Sequence, residues 1–362
     1  MTLKWPVPVY PLPDEILSSW LVRAAFALGC EPMSLTSALW PSGRTWTMDI
    51  DRYLVDERMQ ALSDSSGLSP DEITRMTLRH HLDGKVFLYG KGLALLPWLT
   101  TLGQKHLQHI MGVQFCPECF RSSTPYYRWQ WRTAWFTRCS IHQCPLVASC
   151  PVCHTAVQYH RLSLGAPHIG VCVSCGYDFR EIEVQPPNPD KMIFQTLATH
   201  ICEKGVADWG SEQIPAIEWF ALMRVMLHLI RKAARQRSSS HLLHFFAATG
   251  IDLASFELLP EKFATELLLA REREALFAAL VQVIAIGPEM LLKLIMEFRV
   301  PRSVLMDHRT SYPEVMHRWL ANLPARRCWR DPKAHYKCHQ IKSREMVRSE
   351  WILLLRKLGL QS

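Results

Sequence analysis

The sequence contains no apolar run long enough to cross a membrane, and its first residues lack the charged start and apolar segment of a secretion signal. We therefore expect no membrane contact and a cytoplasmic location. Disulfides are rare in that reducing compartment. The 12 cysteines are accordingly candidates for metal ligands or for small buried side chains, not for disulfides.

Motifs of the common hydrolytic and nucleotide-dependent enzymes are also missing. The chain has no Gly-x4-Gly-Lys-Ser/Thr loop, which Gly90-Lys91-Gly92 does not replace, and no His-Glu-x-x-His. No Ser or Cys stands in a recognisable nucleophile setting. Acidic residues are scattered, so a two-metal nuclease site is not visible. We predict that the chain is not an enzyme; a nuclease with structural zinc ions is an open alternative.

Hydrophobic residues make up 48% of the 362 positions and 13 are tryptophan, which favours two or three well-packed domains. The formal charge is +8. The segment from Pro324 to Lys357 contains ten Lys and Arg residues but only three Asp and Glu residues. This basic tail is either a solvated surface or a phosphate-contacting one. Its candidate nucleic-acid contacts are Arg326, Arg327, Arg330, Lys333 and Lys337.

The stretch from Cys116 to Cys175 holds four pairs of metal-ligating residue types, each with two residues between its members. The pairs are Cys116 and Cys119, Cys139 and His142, Cys150 and Cys153, and Cys172 and Cys175. Such a pair places two ligands at adjacent corners of a tetrahedron, and two pairs complete one closed zinc site. The sequence therefore predicts two structural Zn²⁺ ions without an open coordination position.

Two points about these sites stay open. Sequential pairing closes shorter loops than crossed pairing, in which the first and third pairs would share an ion, and we favour it for that reason. Cys144 lies two residues beyond His142 and could replace it as a ligand. We prefer His142 because it keeps the spacing of the other pairs. The remaining cysteines are interpreted as small apolar residues: Cys30, Cys144, Cys202, Cys328 and Cys338.

The N-terminal part is predicted to be helical. Apolar residues recur at helical spacing after Asp14, which we expect to cap a helix that Gly29 ends. A capping box of Ser69 and Glu72 starts a later helix, and the turn at Gly67 before it is compatible with a helix-turn-helix.

An aromatic segment follows the first cysteine pair. Tyr127, Trp129 and Trp131 alternate with polar residues, which is typical of a strand. Arg128 and Arg132 would then lie on the opposite face, where interleaved basic and aromatic side chains can bind nucleic acid. The competing interpretation is that the aromatic residues simply bury a small zinc module.

The fold class we predict is mainly α. It consists of a helical, helix-turn-helix-like N-terminal domain (1–112), tandem zinc fingers (113–182), a proline-rich linker (183–191) and a helical C-terminal domain with the basic tail (192–362). The helices expected in the last domain are Ile214–Arg237, Pro260–Ile286, Glu289–Phe298 and one that starts near Ser343.

Taken together, these motifs resemble the TniQ/TnsD family of transposon target-selection proteins. The matching runs, in order, are PLPDEILSSWLVR (Pro11–Arg23), FCPEC (Phe115–Cys119), YYRWQWR (Tyr126–Arg132), CSIH (Cys139–His142) and CPVC (Cys150–Cys153). The resemblance covers about residues 5–180, and Cys172 and Cys175 fit the second finger of many members.

The resemblance implies a non-enzymatic bacterial adaptor that couples a target-recognition complex to the AAA+ ATPase of a transposon (TnsC/TniB-like). The length resembles the shorter kind, which can be a homodimer bound to a CRISPR surveillance complex (Cascade), where guide RNA supplies the sequence specificity. Longer members read an attachment site on DNA directly. It also implies that the eight paired Cys and His residues are the zinc ligands. The alternative function is a zinc-containing helix-turn-helix transcription regulator that binds a DNA site unaided.

Overall fold

The computed structural model describes residues 4–41, 45–88, 96–100, 102, 113–235, 240–256, 264–306, 312–321 and 323. The α-helices are α1 Leu17–Ala27, α2 Pro32–Leu39, α3 Asp56–Ser66, α4 Pro70–Arg75, α5 Leu78–Leu82, α6 Pro117–Ser122, α7 Ile193–Lys204, α8 Ala216–Arg235, α9 Ser240–Ala248, α10 Ala270–Ile286, α11 Pro288–Glu297, α12 Arg302–Leu305 and α13 Glu314–Trp319. The 3-10 helices are Thr45–Thr47, Trp129–Arg132, Tyr159–Arg161, Phe179–Glu181, Pro189–Met192, Leu253–Phe256 and Thr265–Leu267. The strands are β1 Val206–Trp209 and β2 Glu212–Pro215. This content confirms the prediction of a mainly α fold.

Helix α1 is buried over most of its length and begins later than predicted. Asp14 does not cap it: its φ is 61°, and the N-cap position is Ile16, whose side chain makes no capping hydrogen bond. The capping box of Ser69 and Glu72 at the start of α4 is confirmed, and Gly67 ends α3 with a left-handed φ of 79°. A helix, a short turn and a second helix therefore do follow one another here.

The C-terminal part contains a hairpin that the sequence reading missed. Strands β1 and β2 pair antiparallel, with Ala207 opposite Ile214, and Gly210 turns between them with φ 63°. Helix α8 consequently begins at Ala216, after the strand that contains Ile214. Helix α11 lies at the edge of its predicted range. Helix α10 ends at Ile286 as predicted but begins only at Ala270, because Thr265–Leu267 forms a separate 3-10 helix, so the helix predicted from Pro260 is wrong over these residues. Pro260 itself, Arg237 and the helix expected near Ser343 lie outside the described residues.

One continuous apolar core runs from the N-terminal part through the cysteine-rich segment into the C-terminal helices. Trp98 lies at its centre, 2% exposed, and its indole N–H donates to the backbone oxygen of Phe220 in α8. Trp135 and Phe194 pack around the same ring. Side chains from all three predicted domains contribute to this core. The core therefore does not mark where one domain ends and the next begins, and the predicted boundaries stay predictions. A smaller cluster around Trp20 lies on the other side of α1.

Among the described residues, no single helix has the length and apolar composition of a membrane span. Helices α10 and α11 reach that composition only as a pair that bends by 94°. Leu276 and Leu280 of α10 are fully buried, and α10 packs against α7 and α8.

Candidate metal centres

The first centre is formed by Cys116, Cys119, Cys139 and His142, whose ligand atoms all lie within 4.8 Å of one another. Its sulfur–sulfur and sulfur–nitrogen distances are those of a tetrahedron. Cys119 Sγ lies 3.6 Å from Cys139 Sγ and 3.3 Å from His142 Nδ1. At tetrahedral angles, Zn–S bonds of about 2.3 Å and Zn–N bonds of about 2.0 Å would separate two sulfurs by about 3.8 Å and a sulfur from a nitrogen by about 3.5 Å, so both distances lie within about 0.2 Å of these values.

The second centre is formed by Cys150, Cys153, Cys172 and Cys175, again with all four sulfurs within 4.8 Å. Cys150 Sγ lies 3.6 Å from Cys175 Sγ, and Cys153 Sγ lies 3.5 Å from Cys172 Sγ. The structure thus groups the pairs sequentially, as the shorter loops favoured. It also groups His142, rather than Cys144, with the first three cysteines.

Three of the four pairs have the same backbone geometry. The backbone oxygens of Cys139, Cys150 and Cys172 each accept a hydrogen bond from the N–H four residues later, and their own N–H groups donate to the oxygen five residues later. This knuckle forces the residue after the second ligand into a left-handed conformation. The residues in that position are Gln143 (φ 55°), His154 (φ 57°) and Gly176 (φ 75°). The fourth pair differs, because Cys116 caps helix α6 and its sulfur accepts from the Cys119 N–H.

The donors in both centres suit Zn²⁺. Thiolate and imidazole are the ligands that structural zinc prefers, and four ligands leave no open position for catalysis. The cysteines are free rather than disulfide-bonded. Hydrogen bonding with the side chain and backbone of Thr155 lowers the pKa of the Cys153 thiol to about 6, which favours the thiolate that a metal needs. A zinc ion in centre 1 would cross-link the start of α6 to one knuckle, and a zinc ion in centre 2 would cross-link two knuckles.

The remaining described cysteines divide into two kinds. Cys30 and Cys202 are set apart from the centres, and burial raises the pKa of both thiols. Cys144 is different, because its Sγ lies 3.4 Å from Cys116 Sγ. Cys328 and Cys338 lie outside the described residues.

The aromatic segment after α6 is not a strand. Trp129–Arg132 forms a 3-10 helix, so its side chains point in several directions instead of alternating between two faces. Tyr127 and Trp131 are buried in the main core, as the competing interpretation required. Trp129 is half-buried and stacks on His81 with ring centroids 3.9 Å apart. Burial lowers the pKa of His81 to about 4.

Arg132 is fully buried and pairs with two carboxylates. Its Nη1 donates to Asp51 Oδ2 at 2.8 Å, and its Nη2 donates to Asp49 Oδ2 at 2.6 Å and to the Thr100 backbone oxygen at 3.2 Å. The prediction that Arg132 contacts nucleic acid is therefore wrong, because a guanidinium without solvent exposure cannot reach a phosphate. Arg128 is half-buried beside Asp14, with its guanidinium over the Tyr126 ring.

Helix α1 is attached to this arginine network. The backbone N–H and the hydroxyl of Ser18 donate to Asp51 at 2.8 and 2.9 Å, and the Ser18 hydroxyl also contacts the Tyr159 hydroxyl. Burial raises the pKa of Asp51 to about 6; Arg132 opposes this shift. A network of five side chains thus joins α1, the loop before α3, the 3-10 helix between the two ligand pairs of centre 1 and the 3-10 helix between the two ligand pairs of centre 2.

A second set of contacts joins α1 to the same segment. Glu15 is 2% exposed and accepts from Ser19 and Arg23, while Ser19 Oγ accepts from the Tyr127 N–H at 3.0 Å. The backbone of Ile16 also donates to the Tyr127 oxygen. The run from Pro11 to Arg23 therefore holds the cysteine-rich segment against α1, which sequence reasoning did not anticipate.

The same two parts of the chain lie within one family match. Residues 6–146 match the family model TniQ. This part of the chain is similar to the TniQ family. The matched range includes α1, Arg132 and centre 1, and it ends before Cys150 of centre 2. No curated protein matches the sequence.

The TniQ family is associated with transposition and consists generally of non-catalytic adaptors that act with the transposition machinery and target DNA. The two centres of this chain are closed four-donor sites, which fits a structural role. The five basic-tail residues predicted to contact nucleic acid lie outside the described residues.

Proposed function

We propose that this chain is a non-enzymatic target-selection adaptor, which binds a CRISPR Cascade complex carrying a guide RNA and positions the AAA+ ATPase of a transposon beside the target DNA. The observation that carries the proposal is the TniQ match over residues 6–146. This range includes α1, centre 1 and the buried hydrogen bonds of Ser18, Ser19 and Arg132 between them. An adaptor that transmits position must be rigid between its contact surfaces. These buried hydrogen bonds and the two closed centres supply that rigidity.

The transcription-regulator alternative needs the helix-turn-helix candidate to bind DNA. Helices α3 and α4 do flank a short turn, but the exposed side chains around it include Asp56, Glu57, Asp64 and Asp71. The N-terminus of a recognition helix normally approaches base edges and phosphates. Asp71 and Glu72 occupy that part of α4 and would repel a phosphate backbone. We therefore place no DNA contact on this element.

Contacts to DNA are proposed for Arg128 and for the basic tail, with Arg326, Arg327, Arg330, Lys333 and Lys337. These would supply a charge attraction to phosphates without sequence readout. We further propose that the chain acts as a homodimer, as the resemblance implies, and that sequence specificity comes from the guide RNA.

The decisive experiment reconstitutes insertion from purified transposase, ATPase, guide-loaded Cascade and this chain. We expect insertion beside the guided target only when the chain is present. Cys150→Ser should abolish insertion by opening centre 2, whereas Cys202→Ser, a buried cysteine outside both centres, should leave it intact. Insertion that proceeds equally without the chain would contradict the proposal.

A selection of the chain alone against random double-stranded DNA at about 150 mM salt separates the alternatives, because non-specific binding falls steeply with salt. We expect weak, salt-sensitive binding without an enriched motif. An enriched motif would favour direct site reading by a longer-type selector or a regulator. Metal-dependent cleavage of the DNA would instead identify a nuclease.

A further inference from the structure

Centre 1 contains five donor side chains where a structural zinc needs four. Cys144 is 1% exposed, and its Sγ lies 3.4 Å from Cys116 Sγ. The donors of the centre are separated by similar distances, for example 3.6 Å between Cys116 Sγ and His142 Nδ1. Cys144 therefore lies one tetrahedral edge away from a ligand, although it is not among the four atoms that surround the centre.

The knuckle fold fixes Cys144 in this place. The Cys139 N–H donates to the Cys144 backbone oxygen at 2.9 Å, as the Cys150 N–H donates to the oxygen of Thr155 in centre 2. The Thr155 side chain likewise approaches a ligand sulfur, with its Oγ1 3.3 Å from Cys153 Sγ. In these two knuckles the fifth residue after the first cysteine thus approaches a ligand sulfur, and of the two only Cys144 in centre 1 has a side chain of a type that structural zinc prefers.

His142 and Cys144 differ in their surroundings. His142 is half-buried at the end of a knuckle whose tip residue, Ile141, is 57% exposed. Cys144 is enclosed by the core. Of the two, the imidazole is the donor that water and other molecules can reach, and the thiol is the donor that stays near the ion when the imidazole leaves.

We propose that Cys144 is the reserve ligand of centre 1: it donates a hydrogen bond to the Cys116 thiolate while His142 binds the zinc, and it replaces His142 when the imidazole is removed. In the exchange the Zn–N bond breaks, a Zn–S bond forms, and the Cys144 thiol proton passes to solvent. No oxidation is involved. The proposal requires zinc in centre 1, which a wild-type content of two ions per chain tests separately.

The test measures zinc content and the Co²⁺ spectrum in a set of variants of the full chain. His142→Ala should retain two ions, because Cys144 completes the site. The double variant His142→Ala with Cys144→Ser should retain one. Cys153→Ala is the matched control in centre 2, where Thr155 cannot take over, and it should retain one. With Co²⁺, the thiolate charge-transfer absorption of His142→Ala should exceed that of the wild type, because a fourth sulfur binds in centre 1.

Three results would overturn the proposal. The first is loss of one ion, or of the fold, in His142→Ala alone. The second is retention of two ions without the added thiolate absorption, which would mean that water fills the position. The third comes from a variant that changes a single atom, Cys144→Ser in an otherwise wild-type chain. Its centre-1 zinc should pass to a chelator faster than wild-type zinc, because recapture by the thiol is lost, and an unchanged rate refutes the reserve role.

Discussion

Replacing Arg132 by Gln should destabilise the fold strongly, because the change leaves two buried carboxylates without their cation. Arg132 donates to Asp49 at 2.6 and 3.1 Å, to Asp51 at 2.8 Å and to the Thr100 oxygen at 3.2 Å. The Asp51 side chain has no solvent exposure and that of Asp49 has 11%. Removing one partner of such a buried pair costs about 3–5 kcal/mol, a large part of a typical margin of about 5–15 kcal/mol.

The penalty should depend on pH. Burial already raises the pKa of Asp51 to about 6, and loss of Arg132 removes the charge that opposes this rise. In the variant, folded Asp51 therefore binds a proton at a pH where the unfolded residue, with a pKa near 3.9, does not. Lower pH then favours the folded state of the variant. We expect Arg132→Gln to lose less stability relative to wild type at pH 6 than at pH 7.5.

Urea unfolding followed by tryptophan fluorescence measures both effects. Arg128→Gln is the matched control, because its pair with Asp14 spans 3.4 Å and leaves the aspartate side chain 44% exposed. Such a surface pair contributes at most about 1 kcal/mol. A cost below about 1 kcal/mol for Arg132→Gln would refute the reasoning. If Arg132→Gln instead bound DNA more weakly than the wild type while its stability was unchanged, Arg132 would be a nucleic-acid contact after all.

Three further predictions concern the centres and the His81 stack. Chelation of both zinc ions should unfold the cysteine-rich segment, since structural zinc contributes on the order of 10 kcal/mol in small fingers; circular dichroism before and after chelation checks this, and an unchanged spectrum contradicts it. His154→Gly should be more stable than His154→Ala by about 1 kcal/mol, because φ is 57° and only glycine tolerates it without strain; equal unfolding midpoints would count against this. His81 should contribute a loss of stability as pH drops from about 6.5 to 4, because its unfolded form takes up a proton that the folded form, with a pKa of about 4, does not bind. Asp51, whose pKa is raised to about 6, acts in the opposite direction over this range, so the test compares two slopes. His81→Phe keeps an aromatic ring stacked on Trp129 and removes this contribution, so the variant should lose less stability than the wild type between pH 6.5 and pH 4. An equal change in the two proteins would exclude the His81 contribution.

The cysteine pairs could be predicted from the sequence because their geometry is local. Two residues between ligands bring both side chains to one metal, either in a knuckle or, for Cys116 and Cys119, at the start of a helix. The short loop between Cys119 and Cys139 favours sequential pairing, and the structure groups the pairs in that way. The strand around Trp129 was wrong for a related reason. Alternation over five residues cannot distinguish a strand from a 3-10 turn that buries Tyr127 and Trp131.

The partners of Arg132 could not be predicted, because they are distant in sequence. Asp49 and Asp51 precede it by 83 and 81 residues, and no periodicity links these positions. An arginine beside aromatic residues looks the same in sequence whether it faces solvent or a buried carboxylate. The hairpin of β1 and β2 was missed because each strand has only four residues, too few for a recognisable pattern.

The contacts of Glu15, Ser18 and Ser19 explain the polar side chains at the start of the otherwise buried helix α1. Ser18 holds Asp51, Ser19 holds the Tyr127 backbone and Glu15 holds Arg23. These side chains bind the protein's own segments, so their polar character serves internal attachment and not ligand binding. Ser18→Ala removes the hydroxyl hydrogen bond to Asp51, one of the contacts that attach α1 to the Arg132 network. If position is what an adaptor transmits, such a variant should still bind its partners separately but place insertions less accurately than wild type.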